Sequence, residues 1–191
     1  KVRAGDGVET YFATKIEASS TNPMKAYNYY VDNSGRKIVK KLSKIYASDV
    51  PSTSATLNRG NQQITVDSYN GSFRLKDNAR NIHTLNATSF MGDVNQDGTF
   101  VGATEYTNST ANYTANNTKP AVEVHWGIEK THDYYLARHN RNSYDNNGSI
   151  IRNYYNVNMN LFSQNPPPGH DGTNAAAIDE QGIVAMVYGD G

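Results

Sequence analysis

Three histidines, His125, His132 and His139, stand seven residues apart and are the first candidates for chemistry. One zinc ion cannot hold all three. The outer pair on a helix would lie roughly 21 Å apart at ~1.5 Å per residue, whereas zinc–nitrogen bonds are about 2 Å. Zinc helices place the pair at i and i+4, as in His-Glu-x-x-His, and that motif is absent. The histidines therefore read as polar members of an inward helix face, hydrogen-bonded to neighbouring strands. Asp93-Val94-Asn95-Gln96-Asp97-Gly98 is a second candidate. Asp93, Asn95 and Asp97 alternate oxygen ligands ahead of a glycine that permits a sharp bend, which suits calcium. A full calcium loop wants a bidentate Glu at its twelfth position, where Thr104 stands, with Glu105 one residue late. Calcium binding and plain turn chemistry both remain open. No Gly-x-Ser-x-Gly elbow, phosphate loop or dinucleotide fingerprint is present. The carboxylates Glu123, Glu129, Asp133 and Asp145 show no paired acid/base spacing.

The chain that must position these residues has 191 residues, enough for one domain or one small domain with an appendage. Cysteine is absent, which excludes disulfides, thiol nucleophiles, Cys-zinc sites and iron–sulfur clusters. Eighteen Lys+Arg balance eighteen Asp+Glu. That balance argues against an unassisted electrostatic hold on nucleic acid or an anionic membrane. No run approaches the ~18 apolar residues of a membrane span. The 24 Asn and 14 Tyr beside only 19% charged residues fit a β-rich protein with many turns. Lys1-Val2-Arg3-Ala4-Gly5 leads into no apolar signal region, and there is no initiator Met, so the sequence reads as starting mid-protein or after processing.

Residues 8–46 read as strands. Ala26 to Val31, the turn Asp32-Asn33-Ser34-Gly35 and the run through Ile38 and Leu42 make a hairpin. Its second arm gathers Arg36, Lys37, Lys40, Lys41 and Lys44, read as a solvated strand face. Residues 47–60 are rich in Ser, Thr and Pro and read as a linker. Strand signals resume on either side of Asn70-Gly71, a hairpin turn. A helix is expected over 119–140, with Thr118 as cap, Pro120 in its first turn and Glu123 at its positive end. Its stripe of Ala121, Val124, His125, Ile128, His132, Tyr135, Leu136 and His139 should face inward. A half-buried strand follows, with Ile151, Tyr155, Val157, Met159 and Leu161 on one face and Arg152, Asn156, Asn158 and Asn160 on the other. Pro166-Pro167-Pro168-Gly169 breaks it, and a last strand runs from Ile183 to Tyr188.

Four stretches stand out from Ala121 onward: Ala121-Val122-Glu123-Val124-His125-Trp126, Thr131-His132-Asp133-Tyr134-Tyr135, His139-Asn140-Arg141-Asn142-Ser143-Tyr144-Asp145 and Met186-Val187-Tyr188-Gly189-Asp190-Gly191. Through them the chain resembles the thermolysin family of secreted zinc metalloendopeptidases. Ser72-Phe73-Arg74-Leu75-Lys76-Asp77 resembles an early strand of the same domain, and Tyr27 to Ile45 resembles the end of the family's propeptide. The fold class this implies is α+β: a propeptide β-hairpin lobe, then a β-rich antiparallel domain crossed by one long α-helix. The implied boundaries are 1–46 for the C-terminal part of the propeptide, 47–60 for a linker carrying the maturation site, and 61–191 for the N-terminal portion of the peptidase domain.

The resemblance implies a secreted or cell-surface parent of the bacterial exoprotease type that hydrolyses peptide bonds with a zinc-activated water. The zinc ligands and acid/base groups would follow Gly191, so this segment would hold no zinc and show no proteolysis alone. Its partners would be a peptide or protein substrate and its own C-terminal catalytic half. Asn174 and Ala175 match the family's substrate-binding edge strand, and related proteases place an acidic calcium loop near Asp93, Asn95 and Asp97. Two aromatics usual after Asn-Ala are here Ala176 and Ala177, and an insertion-like stretch, Ile178 to Gly182, follows. Loss of both should leave a shallower, less apolar rim. The rival readings are a propeptide-type inhibitor or chaperone and a non-enzymatic β-rich adhesion or glycan-binding module. Clustered exposed aromatics on a sheet would favour the last, and a helix packed against strands would not.

Overall fold

The computed structural model describes residues 2–3, 10–21, 24–34, 37–43, 48–162, 174–180 and 183–189. The expectations at Arg36, Lys44, Pro166 to Gly169 and Asp190-Gly191 lie outside them, as does the start of the expected linker at Ala47. The chain divides into two compact units, Lys1–Ser48 with Tyr69–Gly71, and Asp49–Ser68 with Ser72–Gly191.

In the first unit, β1 (Val2–Arg3) pairs antiparallel with β2 (Thr10–Tyr11). β3 (Ala13–Thr21), β4 (Met24–Asp32) and β5 (Ile38–Ser43) form an antiparallel sheet in that order. The expected hairpin is β4–β5. Its turn is set by the Asp32 carboxylate, which accepts from the Ser34 amide at 3.2 Å and hydroxyl at 2.8 Å, as Asx turns do. Lys37, Lys40 and Lys41 are exposed, and the Lys41 ammonium lies 3.9 Å from the Tyr27 ring centroid.

The second unit opens with a correction. Much of the expected linker is strand β6 (Ser48–Ala55). Its inward residues are polar: Ser52 and Ser54 are buried, as is Thr56 just past its end. Their hydroxyls are satisfied, Ser52 and Ser54 by each other at 2.6 Å and Ser54 also by the Tyr113 amide at 2.8 Å. A period-2 pattern of hydroxyls folds as a strand once each finds a partner. Pro51 is tolerated because β6 lies at the edge of a four-stranded sheet. That sheet runs β12 (Thr107–Asn108), β8 (Ser72–Arg74), β7 (Asn61–Tyr69), β6. Between β7 and β8, Asn70 and Gly71 take φ of 52° and 82°, the type I′ turn expected there.

The other sheet is built from β9 (Lys76–Asp77), β10 (Ile82–Asn86), β11 (Thr104–Glu105), β13 (Ile151–Val157), β14 (Ala175–Glu180) and β15 (Ile183–Gly189). Its order is β11-β10-β13-β15-β14, with β9 on β10. The α+β class holds, and to the antiparallel pairs this sheet adds two parallel ones, β10–β13 and β13–β15. A central strand between parallel neighbours is covered on both faces. So β13 is not half-buried: Asn153, Tyr154 and Val157 are all buried, and Asn156 sits at a bulge with φ 64°. It ends at Val157, and Met159–Phe162 form a 3₁₀ turn.

Helix α1 (Lys119–His139) packs on β10 and β13. It ends as expected at Asn140, which is left-handed at φ 50° with its amide on the Leu136 carbonyl at 3.0 Å; the Arg141 amide bonds Tyr135 O at 3.2 Å. Thr118 does not cap it. Its hydroxyl donates to Ala115 O at 2.9 Å within a 3₁₀ turn (Asn116–Thr118). Glu123 accepts instead from the Asn58 amide at 2.8 Å. The buried face is Ala121, Val122, His125, Glu129 and His132, with Val124 and Ile128 half-buried. Tyr135 and Leu136 are 44% and 42% exposed and His139 is exposed, so the inward stripe fails there. The buried face ends at His132, while the polar Glu129 takes a place that an apolar stripe would not give it.

Two cores result. One lies on the face of the mixed sheet that carries Leu85, Tyr154 and Val187, where Phe90 and Phe100 stack and Phe100 lies on Tyr154, both at 3.9 Å. The other gathers Val66, Leu75, Tyr113, Ala121 and Val122. Each large apolar side chain fully covered contributes roughly 1.5–3 kcal/mol.

Candidate functional site

Strand β14 ends the mixed sheet, with β15 on one side and, among the described residues, no strand on the other. Its register, Ala175↔Tyr188 through Glu180↔Ile183, fixes which backbone groups are free. The Asn174 carbonyl accepts from the Gly189 amide at 2.8 Å, so even-numbered residues bond β15. Antiparallel alternation then turns the N–H and C=O of Ala175, Ala177 and Asp179 toward the open edge. One is already answered: the Asn174 side-chain oxygen accepts from the Ala175 amide at 2.8 Å. Asn174 and Ala175 are exposed at this edge, where the sequence placed a substrate strand.

The side chains of β14 alternate as well. Ala176 and Ile178 pack on the sheet's core cluster, while Ala177 and Asp179, with Ile178 between them, line a groove of about 500 Å³. Ile128, His132, Tyr135 and Met186 form other parts of its wall. Of the two alanines standing where aromatics are usual, only Ala177 therefore shapes the rim.

The histidines part company. His125 is fully buried, its Nε2 3.0 Å from the Thr65 carbonyl and its Nδ1 2.8 Å from the Thr84 hydroxyl. A carbonyl only accepts, so Nε2 carries the proton and the Thr84 hydroxyl donates to Nδ1. Burial pushes His125 down to about 4. His132 is buried with Nε2 3.2 Å from Asn142 Oδ1, and exposed His139 lies against the rings of Tyr134 and Tyr135.

Glu129 escaped the sequence reading as a scattered carboxylate. It is buried, accepts from the Thr65 amide at 2.7 Å, and lies 3.5 Å from His125 Nε2. Burial pushes it up to about 7. Beside it, Arg80 grips Asp133 through Nε and Nη2 at 2.7 and 3.0 Å, and buried Asp77 through Nη1 at 2.5 Å. Hydrogen bonding to Asp133, against the cost of burial, holds the guanidinium above its ordinary range. The i, i+4 spacing of His125 and Glu129 was the available signal; nothing local marked Arg80.

The Asp93–Asp97 loop is a tight turn under the bridge Val94↔Phe100. Asp97 Oδ1 accepts from the Thr99 main-chain amide and hydroxyl at 3.0 and 2.6 Å, and the Asn95 side-chain Nδ2 donates to Thr99 Oγ1 at 2.9 Å. Those bonds, Thr99 first, hold Asp97 below the usual carboxylate range, with Arg152 adding to the effect. Arg152 Nη2 also donates to the Asp97 carbonyl at 3.3 Å. Among the described residues no three His, Asp or Glu side chains converge as a metal site, so these residues do not fit the zinc that the resemblance implies.

The chain is similar to bacterial proteases along most of its length. It is 30% identical to a bacillolysin of Bacillus amyloliquefaciens over 84% of this chain and 27% of that protein. It is 27% identical to an extracellular elastase of Staphylococcus epidermidis over 97% of this chain and 34% of the relative. A bacillolysin of Brevibacillus brevis is 28% identical over 96% of this chain and 30% of its own length. The chain thus spans about a quarter to a third of these relatives. No helix among the described residues is long and apolar enough to cross a membrane. Residues 51–191 match the thermolysin metallopeptidase catalytic domain, and the chain belongs to that family.

Proposed function

We propose that this chain is part of a secreted, propeptide-regulated zinc endopeptidase, and that β14 is the strand along which its peptide substrate lies. The zinc ligands and acid/base groups belong to the rest of the parent, consistent with the fraction of the relatives that this chain spans. The segment alone does not hydrolyse peptides in this reading. Residues 1–46 act as the C-terminal part of the propeptide, and the parent's own C-terminal half is a partner of this chain. The maturation site lies before Ser52, because Ser52, Ser54 and Thr56 are buried and closed to a protease. Calcium binds at Asp93, Asn95 and Asp97.

The observation that carries the proposal is the open edge of β14. Unpaired backbone groups at Ala177 and Asp179 add an extended peptide by β-augmentation, and each bond adds about 0.5–1.5 kcal/mol whatever the substrate side chain. Asn174 can both donate and accept. In the full-length parent, Asn174→Ala should lower kcat/KM at least several-fold while thermal stability is kept. Unchanged kinetics in a folded variant would overturn the assignment.

A further inference from the structure

The insertion-like stretch after Ala177 has an ordered role. Ile178, Asp179 and Glu180 continue β14 in unbroken register with Ala185, Val184 and Ile183. The strand therefore carries one more outward-facing residue than Ala175 and Ala177 provide, and that residue is Asp179. Its side chain is on the groove side, exposed, with no hydrogen bond or ion pair among the described residues. The cations that share the groove are engaged elsewhere. Arg141 donates to the Tyr144 carbonyl and Arg152 to the Asp97 carbonyl; the His132 ring, which also lines the groove, faces Asn142.

We infer that Asp179 is a specificity-determining residue that selects a Lys or Arg side chain in a peptide laid along β14. The inference rests on the peptide-binding reading of β14 and deepens it. On an added strand, substrate side chains alternate with the same period as those of β14. Opposite Ala175 and Ala177 the edge offers little but space. At Asp179 it offers an unpaired carboxylate beside backbone groups that fix the peptide's height. Directly opposed charges on paired strands attract, and a neutral side chain there gains nothing comparable. Both partners stay near solvent, so the preference is modest and weakens with salt.

The test uses the full-length parent and a peptide series in which a single Lys replaces Gln at each position in turn. Wild type should favour Lys over Gln at one position by about two- to five-fold in kcat/KM. Asp179→Asn should abolish that preference, so that Lys and Gln peptides are cleaved with equal kcat/KM at that position, and 0.5 M salt should shrink it in wild type. Hydrogen exchange at the Ala177 amide, with a neutral uncleaved peptide bound, reports docking on β14 separately. Protection at Ala177 with a Lys preference that persists in Asp179→Asn overturns the role of Asp179 alone. No protection at Ala177 overturns the docking reading, and this inference with it.

Discussion

Glu129 and Thr65 are joined across the second unit: a carboxylate oxygen on α1 lies 2.7 Å from a main-chain amide on β7. His125, one turn earlier, takes the carbonyl of the same residue at 3.0 Å. Two helix side chains thus satisfy both backbone groups of one strand residue, much as a neighbouring strand would. The pair is buried, so its protonation is tied to folding.

The two groups pull stability in opposite directions. His125, lowered to about 4, is neutral in the fold where the unfolded chain is still charged, so its contribution is present near neutrality and lost as pH falls from about 6.5 to 4. Glu129, raised to about 7, keeps its proton in the fold where the unfolded chain has lost it. Its contribution is present below about 4.5 and is lost as pH rises to about 7. Between about 4.5 and 6.5 the two slopes oppose. Glu129→Gln removes one of them. The variant should lose about 2 kcal/mol more than wild type on going from pH 6.5 to 4.5, read from urea midpoints. Equal losses in both proteins would show that the pair is not coupled to folding.

Arg80→Ala strips buried Asp77 of its cation and Asp133 of a two-point partner. A loss of about 2–3 kcal/mol is expected, toward the lower end for a buried pair because Arg80 keeps some exposure. Arg80→Lys should cost less, since it keeps the charge but not the planar fork. If both variants unfold at the wild-type urea concentration, the cluster does not stabilise the fold.

Calorimetric titration of the full-length parent should show calcium binding that weakens at least tenfold in Asp97→Asn. Arg152→Gln should strengthen it, because Arg152 places a competing positive charge beside Asp97. Heats identical in wild type and Asp97→Asn would reduce the loop to a turn closed by Thr99.

N-terminal sequencing of the mature secreted parent should give a start between residues 45 and 51. A start beyond Ser52 would require cleavage where Ser52, Ser54 and Thr56 are buried, Ser54 against the Tyr113 amide.

The parts that could be read in advance were those with local causes. Asn70-Gly71 needs positive φ and makes its turn unaided, and α1 starts beside Pro120 and ends at Asn140 for reasons within one turn of chain. Strand β6 was missed because its inward residues are Ser52 and Ser54, whose burial depends on Tyr113 from far along the chain. Leu136 was placed inward because spacing shows an apolar stripe but not where along a helix its cover ends. Glu129 lies inside because Thr65 offers an amide, which no periodicity encodes. At the candidate site, Asn174 and Ala175 were reached through the family resemblance, whereas the exposure of Asp179 needed the register of β14 on β15.

The mixed sheet also sets an order of assembly. β14 and β15 meet at Glu180↔Ile183, a closure that spans almost no chain. β10 must wait for β13, with all of α1 made in between, before Ile82 finds Ile151. Closing long loops before their contacts reward it is slow, and local hairpins form in microseconds. The hairpin bearing Asn174 and Asp179 should therefore be in place early, with the centre of the sheet joining last. Substitutions at Ile82 or Ile151 should slow folding if that junction is the transition state, while those at Ile178 should leave the folding rate little changed.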